Sequence, residues 1–338
     1  LEQAQTETKT PQMTQVKVDG NWYLQDEQGN YVTGFQEIKD QQKTVYYDPT
    51  SKQMVYGQQK IDGNWYLFDT YNGAMQTGLQ YLSDQQKLAY YNDKGQMQYG
   101  TVEIDGQKHQ ADTFDGAIKG QGQQKIAGNW YLFGNNNRVK DGWQWINDQQ
   151  KTVYYDKKTA QMVHGEQKIA GHWYLFDENT GAMQRGFKKV KSGDKEKTVY
   201  YNQDGWMQYG QQKIANNWYN FDTFDGAMKT GLVSIPEQGK TVYYNNDGKM
   251  QYGWQWVNNA TRYFDTFNGA MTTGQRLING HWYLFDKTGA MQRGIQDLKD
   301  YGANKSAYYN QDGWMQYGWQ WVNNGTHYFD TFDGAMAV

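Results

Sequence analysis

The chain alternates short aromatic or β-branched runs with polar turns. Residues 58–78 (QQKIDGNWYLFDTYNGAMQTG) are representative: the run WYLF is followed by an Asp/Asn-Gly turn and a second short run that closes on Gly78. Such runs, bounded by turn residues, predict a β-hairpin. No apolar period of 3.6 residues persists long enough to indicate a helix. Because an isolated hairpin is marginally stable in water, each one is expected to stack on its neighbours.

The hairpin pattern recurs along the chain, with each unit closed by a glycine. Spacings between these glycines run from 20 to 24 residues and define 15 units of about 21–22 residues. A period in this range is typical of solenoids. The sequence therefore predicts an all-β solenoid of stacked β-hairpin repeats over residues 14–338, preceded by a polar linker over residues 1–13. The closing glycines are Gly34, Gly57, Gly78, Gly100, Gly120, Gly142, Gly165, Gly186, Gly210, Gly231, Gly253, Gly274, Gly294 and Gly318.

Two main unit types alternate. Trp-Tyr units start at positions 14, 58, 121, 166, 211 and 275, and most are followed by a unit with a Tyr-Tyr pair such as Tyr46-Tyr47. A third type, WQWVNNATRYFD, begins at Trp254 and recurs with small changes at Trp319. The unit over residues 101–120 has lost its aromatic run, so no ligand pocket is expected there.

Strand alternation assigns the faces of each hairpin, because successive side chains point to opposite sides. Aligning WYLF with TVYY on the following Asp or Asn places Tyr66 and Phe68 with Val45 and Tyr47. This set is predicted to form the core. The alternate set, which includes Trp65 and Tyr46, is predicted to lie on a partly exposed face. The third unit type conflicts with this pattern, because Arg262 and His327 occupy the core position of Tyr66.

Composition narrows the function. The 338 residues carry a formal net charge of −3, which disfavours nucleic-acid and anionic-membrane partners. The chain has no cysteine, and its five histidines follow no metal-ligand spacing, so no metal or cofactor is expected. His172 and His281 replace Asn64 in a turn and are expected at the surface. The recurrent Asp residues occupy a turn position, where they favour the turn, so no catalytic residues are expected.

Repeated aromatic rings without a catalytic set are typical of a multivalent binding protein. A flat ring offers an apolar surface to a sugar, and neighbouring polar groups can fix its hydroxyls. In the Gln-Gln-Lys runs, Gln58 and Lys60 share a strand face and would lie beside Trp65. The candidate sugar-binding residues are Gln15, Lys17, Trp22, Tyr46, Gln58, Lys60, Trp65, Tyr90, Gln123, Lys125, Trp130, Tyr154, Lys168, Trp173, Tyr200, Gln211, Lys213, Trp218, Tyr243, Trp282 and Tyr308.

Two other interpretations of the same residues stay open. The Gln and Lys side chains could simply protect strand edges and keep the solenoid soluble. The rings could instead cage a quaternary ammonium group by cation–π attraction. A recurrent Lys next to each ring speaks against such a cage.

Units such as KIAGNWYLFDTFDGAMKTG, with Gly-x-Trp-Tyr-x-Phe-Asp and a Gly-Ala-Met turn exit, resemble the cell-wall-binding/choline-binding repeat superfamily. The alternating Gln-Gln-Lys/Trp-Tyr and Lys-Thr-Val-Tyr-Tyr units look most like the glucan-binding domain of glucansucrases from lactic acid bacteria. The resemblance covers residues 14–338. Choline-binding relatives usually open most units with Gly-Trp, which occurs here at only three units, at Trp143, Trp254 and Trp319.

This resemblance implies a non-catalytic, multivalent domain that binds α-glucan of the dextran type, attached to the catalytic domain of a secreted, sucrose-dependent glucosyltransferase. It implies pockets between adjacent hairpins, in which Trp65-type and Tyr46-type rings act together with the Gln58/Lys60 pairs. It also implies a monomer that is secreted or bound to the surface of a Gram-positive bacterium. The alternatives are a choline-binding module for cell-wall teichoic acids and a structural surface spacer.

Overall fold

The structure is a computed structural model that describes residues 10–338. It contains 15 small antiparallel sheets, 13 with two strands and two with three, as predicted for a solenoid of hairpin repeats. No α-helix is present in the described part of the chain, and none of its helices is long and apolar enough to cross a membrane. Residues 10–13 of the predicted linker form no strand, and the rest of that linker lies outside the described residues.

The hairpins are numbered 1 to 15 in chain order. Their strands are Thr14–Val18 with Asn21–Gln25, Gly34–Ile38 with Lys43–Tyr47, Gly57–Ile61 with Asn64–Phe68, Gly78–Leu82 with Lys87–Tyr91, Gly100–Ile104 with Gln107–Ala111, Gly122–Ile126 with Asn129–Phe133 and Val139–Lys140, Gly142–Ile146 with Lys151–Tyr155, Gly165–Ile169 with His172–Phe176, Gly186–Ser192 with Lys195–Tyr201, Gly210–Ile214 with Asn217–Phe221, Gly231–Ile235 with Lys240–Tyr244 and Met250–Gln251, Gly253–Val257 with Ala260–Phe264, Gly274–Ile278 with His281–Phe285, Gly294–Asp297 with Ser306–Tyr309, and Gly318–Val322 with Gly325–Phe329.

Short 3₁₀ segments interrupt five of the connections. They are Lys39–Gln41, Asn135–Asn137, Asn147–Gln149, Pro236–Gln238 and Lys299–Tyr301. The chain divides into two compact units. The first runs to Gln167 and includes Leu175–Met183, and the second consists of Lys168–Tyr174 and Gln184–Val338.

The closing glycines open the first strand of the next hairpin, where their positive φ is available to glycine at little cost. Gly57, for example, has a φ of +70°. One closing glycine was predicted at the wrong position. Gly122, with a φ of +63°, opens hairpin 6, whereas Gly120 lies two residues earlier without a positive φ.

Each hairpin has an inner and an outer face. In hairpin 3, Gln59 pairs with Tyr66 on the inner face, whereas Lys60 pairs with Trp65 on the outer face. Phe68 is fully buried on the inner face and Trp65 is 37% exposed, which confirms the predicted assignment. The final inner-face ring is fully buried in most hairpins, and these rings form the centre of the core.

Successive hairpins stack the outer face of one against the inner face of the next. Leu67 on the outer face of hairpin 3 packs against Leu82, Ala89 and Tyr91 of hairpin 4. A backbone bond joins the two, because the Met97 amide donates to the Trp65 carbonyl at 2.9 Å. The same bond recurs at most junctions between neighbouring hairpins, whereas at hairpin 6 the Val139 amide donates to the Gln86 carbonyl of hairpin 4 at 2.8 Å.

The third unit type shows how a cation can occupy the core position. Arg262 is only 6% exposed, and its guanidinium donates to the carbonyls of Thr288 and Val257. These hydrogen bonds compensate for the water that the buried guanidinium has lost. His327, at the same position near the end of the chain, is half-buried.

The two turn histidines are not simple surface residues. His172 stacks on Trp206 and His281 on Trp314, in both cases with ring centroids 3.7 Å apart and planes 6° apart. The indole of Trp314 donates to the hydroxyl of Tyr283 at 2.7 Å. These histidines therefore help to hold the turns in place, contrary to the expectation of free surface positions.

Candidate functional site: two kinds of inter-hairpin cleft

The stacking of alternating hairpins creates two kinds of cleft. We call the first kind Trp clefts: each lies on the outer face of a Trp-Tyr hairpin, beneath the Tyr-Tyr hairpin that follows. We call the second kind Tyr clefts: each lies on the outer face of a Tyr-Tyr or third-type hairpin. The candidate sugar-binding residues divide between them. Gln58, Lys60 and Trp65 belong to a Trp cleft, whereas Tyr46 lies in a Tyr cleft.

This division corrects the expectation that Tyr46-type and Trp65-type rings share one pocket. A Tyr-Tyr hairpin does complete a Trp cleft, but with other residues. In the cleft at Trp218 it contributes Gln238, Lys240, Met250 and Tyr252, and not Tyr243. Tyr243 instead contacts Phe264 of hairpin 12, with ring centroids 5.8 Å apart. The cause is the two-residue period of the strand, which turns Tyr243 away from the face that covers Trp218.

The Trp218 cleft is a groove of about 210 Å³. Its lining combines rings with polar groups: Gln211 and Trp218 from hairpin 10, Gln238, Lys240, Met250 and Tyr252 from hairpin 11, and Phe267 and Asn268 from the turn after hairpin 12. Lys240 donates to the Asn268 carbonyl at 2.7 Å, and this bond ties the turn to the cleft. The other Trp clefts repeat this bond, for example from Lys43 to Asn72 at 2.6 Å.

A solvent-exposed ring stands at the rim of this cleft. Phe267 is 94% exposed, and the Asp265 carboxylate fixes its turn by accepting bonds from the amides of Phe267 and Asn268 at 2.8 and 3.0 Å. Four more rings occupy the same turn position and are 93–94% exposed. They are Tyr71, Phe114, Phe224 and Phe332. The motif Asp-Thr-Phe/Tyr-Asp/Asn-Gly marks all five in the sequence, but it suggested only a turn.

The Trp130 cleft differs from the other five Trp clefts. The rim position holds Asn179, and His164 replaces the tyrosine equivalent to Tyr252. Its glutamine makes hydrogen bonds within the protein: the Gln123 amide donates to the buried Tyr155 hydroxyl at 3.0 Å and accepts from Gln149 at 3.1 Å. A groove of about 500 Å³ borders Gln123 and Trp130. This cleft therefore keeps the Trp, loses the rim ring and has an imidazole in place of the tyrosine.

Some of the predicted Lys and Gln partners of the Trp rings already make contacts within the protein. The Lys17 ammonium lies 5.6 Å from the centre of the Trp22 ring. Gln58 is bound to the loop of hairpin 4, because its amide contacts Asp84 at 3.4 Å and accepts from Gln85 at 3.1 Å. A cationic ligand at Trp22 would meet a cation that already lies over this ring.

The Tyr clefts have a different chemistry. On the outer face of hairpin 2, Phe35 and Tyr46 lie 4.8 Å apart, and Phe35 lies 5.1 Å from Tyr66 of hairpin 3. Three more clusters share this arrangement of a first-strand ring, a Tyr of the same hairpin and a Phe from the next. They are Trp143, Tyr154 and Phe176; Phe187, Tyr200 and Phe221; and Trp254, Tyr263 and Phe285.

Acidic groups lie near the tyrosines of two of these clusters. Burial raises the pKa of Tyr46, and the nearby carboxylates of Asp62 and Asp48 raise it further. The pKa of Tyr154 is raised by burial and then by Asp156 and Asp141. A negative potential of this kind favours a cation at the ring face. Lys60, the recurrent lysine that spoke against an ammonium cage, is the strand partner of Trp65 on the outer face of hairpin 3, whereas Tyr46 lies on the outer face of hairpin 2.

Three Tyr clefts lack the aromatic cluster. Their first-strand position is aliphatic, and the inner-face position opposite holds a basic or imidazole side chain instead of tyrosine. The pairs are Leu79 with His109, Leu232 with Arg262, and Ile295 with His327. The first-strand residues Phe35, Trp143, Phe187 and Trp254 were not among the predicted site residues. This position also holds Leu and Ile, so residue type does not identify it. The only signal in the sequence is that it directly follows a closing glycine.

The degenerate unit also departs from expectation. Hairpin 5 forms, with Val102 and Ala111 buried on its inner face. An open groove of about 620 Å³ lies between Lys108 and His109 on one side and Lys125 and Trp130 on the other, although no pocket was predicted there. Its lining is strongly basic and holds a single large ring, so it lacks the features of both cleft types.

No group of three or more metal-ligating side chains occurs among residues 10–338. The recurrent Asp residues act in their turns. Backbone amides lower the pKa of Asp69, first that of Asn72 and then that of Tyr71, and Asp177 and Asp222 show the same pattern. The recurrent carboxylates are thus engaged by the backbone of their own turns.

Comparison with known proteins places this geometry in context. The model of the choline-binding repeat matches residues 32–78, 140–187 and 229–275, and that of the putative cell wall binding repeat matches residues 276–291. Each of the three longer matches spans a Tyr-Tyr hairpin and the hairpin after it, which is the pair that forms a Tyr cleft. These segments are therefore similar to the choline-binding repeat. The comparison with curated protein sequences returned no match.

Solved structures share the fold. CbpJ of Streptococcus pneumoniae is 23% identical, with a TM-score of 0.52 over 84% of this chain and 100% of that chain. Choline binding protein F of the same species, in the presence of a peptidoglycan analogue, is 23% identical, with a TM-score of 0.50 over 91% of this chain and 100% of that chain. An alternansucrase in complex with isomaltononaose matches with a TM-score of only 0.30, 23% identity and 22% of its own length. The origin in a glucansucrase therefore stays a prediction.

Proposed function

We propose that the chain is a non-catalytic, multivalent binding module whose Tyr clefts hold quaternary ammonium groups of the choline type, as carried by a cell-wall polymer. The supporting observation is the cluster of Phe35, Tyr46 and Tyr66, together with the carboxylates of Asp62 and Asp48 near Tyr46. Three rings and nearby negative charge are what a methylated ammonium requires. Two of the three segments that match the choline-binding repeat, residues 32–78 and 140–187, fall on hairpin pairs that carry such a cluster.

This module would be secreted or held at the surface of a Gram-positive bacterium. Single clefts are expected to bind weakly, and a polymer that engages several clefts gains affinity through effective concentration. The chain would act as a monomer with several equivalent contacts.

A matched pair of ligands tests the proposal. Choline and its isostere 3,3-dimethyl-1-butanol have nearly the same shape, but only choline is charged. Because of this charge, only choline is attracted electrostatically to the ring faces and the carboxylates. Choline is expected to raise the melting temperature of the chain and to elute it from an immobilised choline column, whereas the isostere should do neither. Equal effects of the two compounds would exclude a cation site, and no effect of either would exclude the proposed ligand.

A second candidate, binding of α-glucan, has its own supporting observation in the Trp clefts. The Trp218 groove places Gln211, Gln238 and Lys240 beside three rings, which suits a neutral polyhydroxy ligand better than a cation. This function would fit a domain of a sucrose-dependent glucosyltransferase.

Retention on a dextran gel tests this second function. The chain should be retained, and retention should fall for Trp218→Ala. Trp256→Ala is the matched control, because Trp256 is 70% exposed and lies outside the Trp clefts. Equal loss in both variants, or no retention of the unmodified chain, would contradict glucan binding at these clefts.

A further inference from the structure

One Tyr cleft already contains a cation. Between hairpins 12 and 13, the guanidinium carbon of Arg276 lies 5.0 Å from the centre of the Tyr263 ring. This ring belongs to the cluster of Trp254, Tyr263 and Tyr283, in which Trp254 lies 4.9 and 4.8 Å from the two tyrosines. A guanidinium at this distance from a ring is in the range of a cation–π contact.

Polar contacts hold Arg276 in this position. Its guanidinium donates to the Asp265 carboxylate at 2.9 Å and to the Thr272 hydroxyl at 3.0 Å. Asp265 follows the Tyr-Phe run of hairpin 12, as Asp48 follows Tyr46-Tyr47 in hairpin 2. Asp265 is thus the equivalent of Asp48, and in the Tyr263 cleft this carboxylate forms an ion pair with an arginine.

Arg276 is unusual among the repeats. Most hairpins have glutamine at this inner-face position, and its amide turns away to the backbone carbonyl three residues earlier. Gln59 donates to the Tyr56 carbonyl at 2.8 Å, and Gln212 to the Tyr209 carbonyl at 2.7 Å. A glutamine in this arrangement leaves the cleft open. Arginine at position 276 instead reaches back into the cleft of the preceding hairpin.

We propose that Arg276 is a built-in ligand of the Trp254–Tyr263 cleft, where its guanidinium takes the place of an ammonium group and closes this cleft to cations that the Tyr46 cleft accepts. This inference rests on the proposed ammonium-binding function. It makes the residue at this inner-face position the one that decides whether an aromatic Tyr cleft is available. Of the four aromatic clusters, those at Phe35, Trp143 and Phe187 have a glutamine at this position, and the one at Trp254 has Arg276.

A reciprocal exchange tests the inference in the full 338-residue chain, with choline soaked into crystals and density read cleft by cleft. Arg276→Gln installs the residue that most hairpins have, so it should fold normally and gain choline over Tyr263. Gln59→Arg places a cation in the Tyr46 cleft with Asp48 as its partner, and choline should be lost there and kept at Tyr200. Lys287→Gln removes one exposed charge outside the clefts and should change neither site.

The outcomes separate the two proposals. Choline over Tyr263 in the unmodified chain, or an empty Tyr263 cleft in Arg276→Gln while the Tyr46 and Tyr200 clefts are filled, would overturn the role of Arg276 and leave the proposed function intact. Choline in none of the Tyr clefts of any variant would overturn both. Titration calorimetry in solution should agree, with one additional choline bound per chain in Arg276→Gln and one fewer in Gln59→Arg.

Discussion

The Tyr46 cleft and the Trp218 cleft are built from the same stacking step and have opposite chemistry. Both lie between the outer face of one hairpin and the next hairpin along the chain. The Tyr46 cleft is lined by rings with carboxylates nearby, whereas the Trp218 cleft adds a lysine and two glutamines to its rings. Alternation of two unit types thus gives one solenoid two kinds of recognition surface, and a ligand found in one kind predicts little about the other.

The largest expected effect concerns the core that both cleft types share. Phe68 is fully buried beneath the Tyr46 cleft, so Phe68→Ala should lower the free energy of unfolding by about 3–5 kcal/mol. Trp65→Ala, on the 37% exposed outer face, should cost clearly less. Thermal and urea unfolding of the two variants measure this. Equal losses would contradict the distinction between inner and outer faces.

The next effect sharpens the ligand preference of the Tyr cleft. Phe35→Leu copies the residue that the chain itself uses at Leu79 and Leu232. Loss of one ring should weaken choline binding at this cleft by roughly 2- to 30-fold, which corresponds to a cation–π contribution of about 0.5–2 kcal/mol. Calorimetric titration with choline provides the measurement. Retention on dextran serves as the internal control, since a change there would show that the two clefts are not independent.

A smaller effect is expected at the rim of the Trp cleft. Phe267→Asn copies the Asn179 of the Trp130 cleft and keeps the turn chemistry. Binding of an isomaltooligosaccharide at the Trp218 cleft should fall by roughly 2- to 10-fold if the ring contributes as much as an aromatic pair does. Phe332→Asn should act in the same way at the Trp282 cleft. Unchanged affinity in both variants would mean that the exposed rings do not contact the sugar.

The smallest effect is a pH dependence at Asp265. The hydrogen bond from Arg276 lowers the pKa of this carboxyl to about 2, with further help from the amides of Asn268 and Phe267. The contribution of the ionised form to stability is therefore present above about pH 4 and lost as the pH falls through about 2. Melting temperatures between pH 5 and pH 2 should fall less steeply in Asp265→Asn than in the unmodified chain. Parallel curves would contradict the assigned contact.

The sequence was sufficient to predict the fold and the inner and outer faces of the hairpins, because both follow from short periods along the chain. The glycine spacing predicts the 15 hairpins, and the two-residue period of WYLF and TVYY predicts which rings are buried. The clefts were harder to predict, because their partners come from three successive hairpins. Phe267 lines the cleft of Trp218, a residue 49 positions earlier, and no local pattern relates the two.

Arg262 illustrates the same limit. Alternation places its side chain in an apolar core, and the structure shows it there. It is stable in this position because two backbone carbonyls from separate parts of the chain accept hydrogen bonds from its guanidinium. Likewise, Tyr46 and Trp65 are similar rings in similar hairpins, and only the order of stacking assigns them to different clefts. Such contacts depend on tertiary arrangement and not on spacing along one strand.

The backbone hydrogen bond from the recurrent Met to a strand carbonyl of the preceding hairpin has a consequence for how such a chain can change its length over evolution. Because the contacts are local and two unit types alternate over most of the chain, deletion of a single hairpin from an alternating stretch would bring two hairpins of the same type together and change the two clefts that the deleted hairpin borders. Deletion or duplication of a pair of hairpins preserves every remaining junction. The genetic increment is thus expected to be about 43 residues, two repeats of 21–22 residues each, and each such event would add or remove one cleft of each chemistry together.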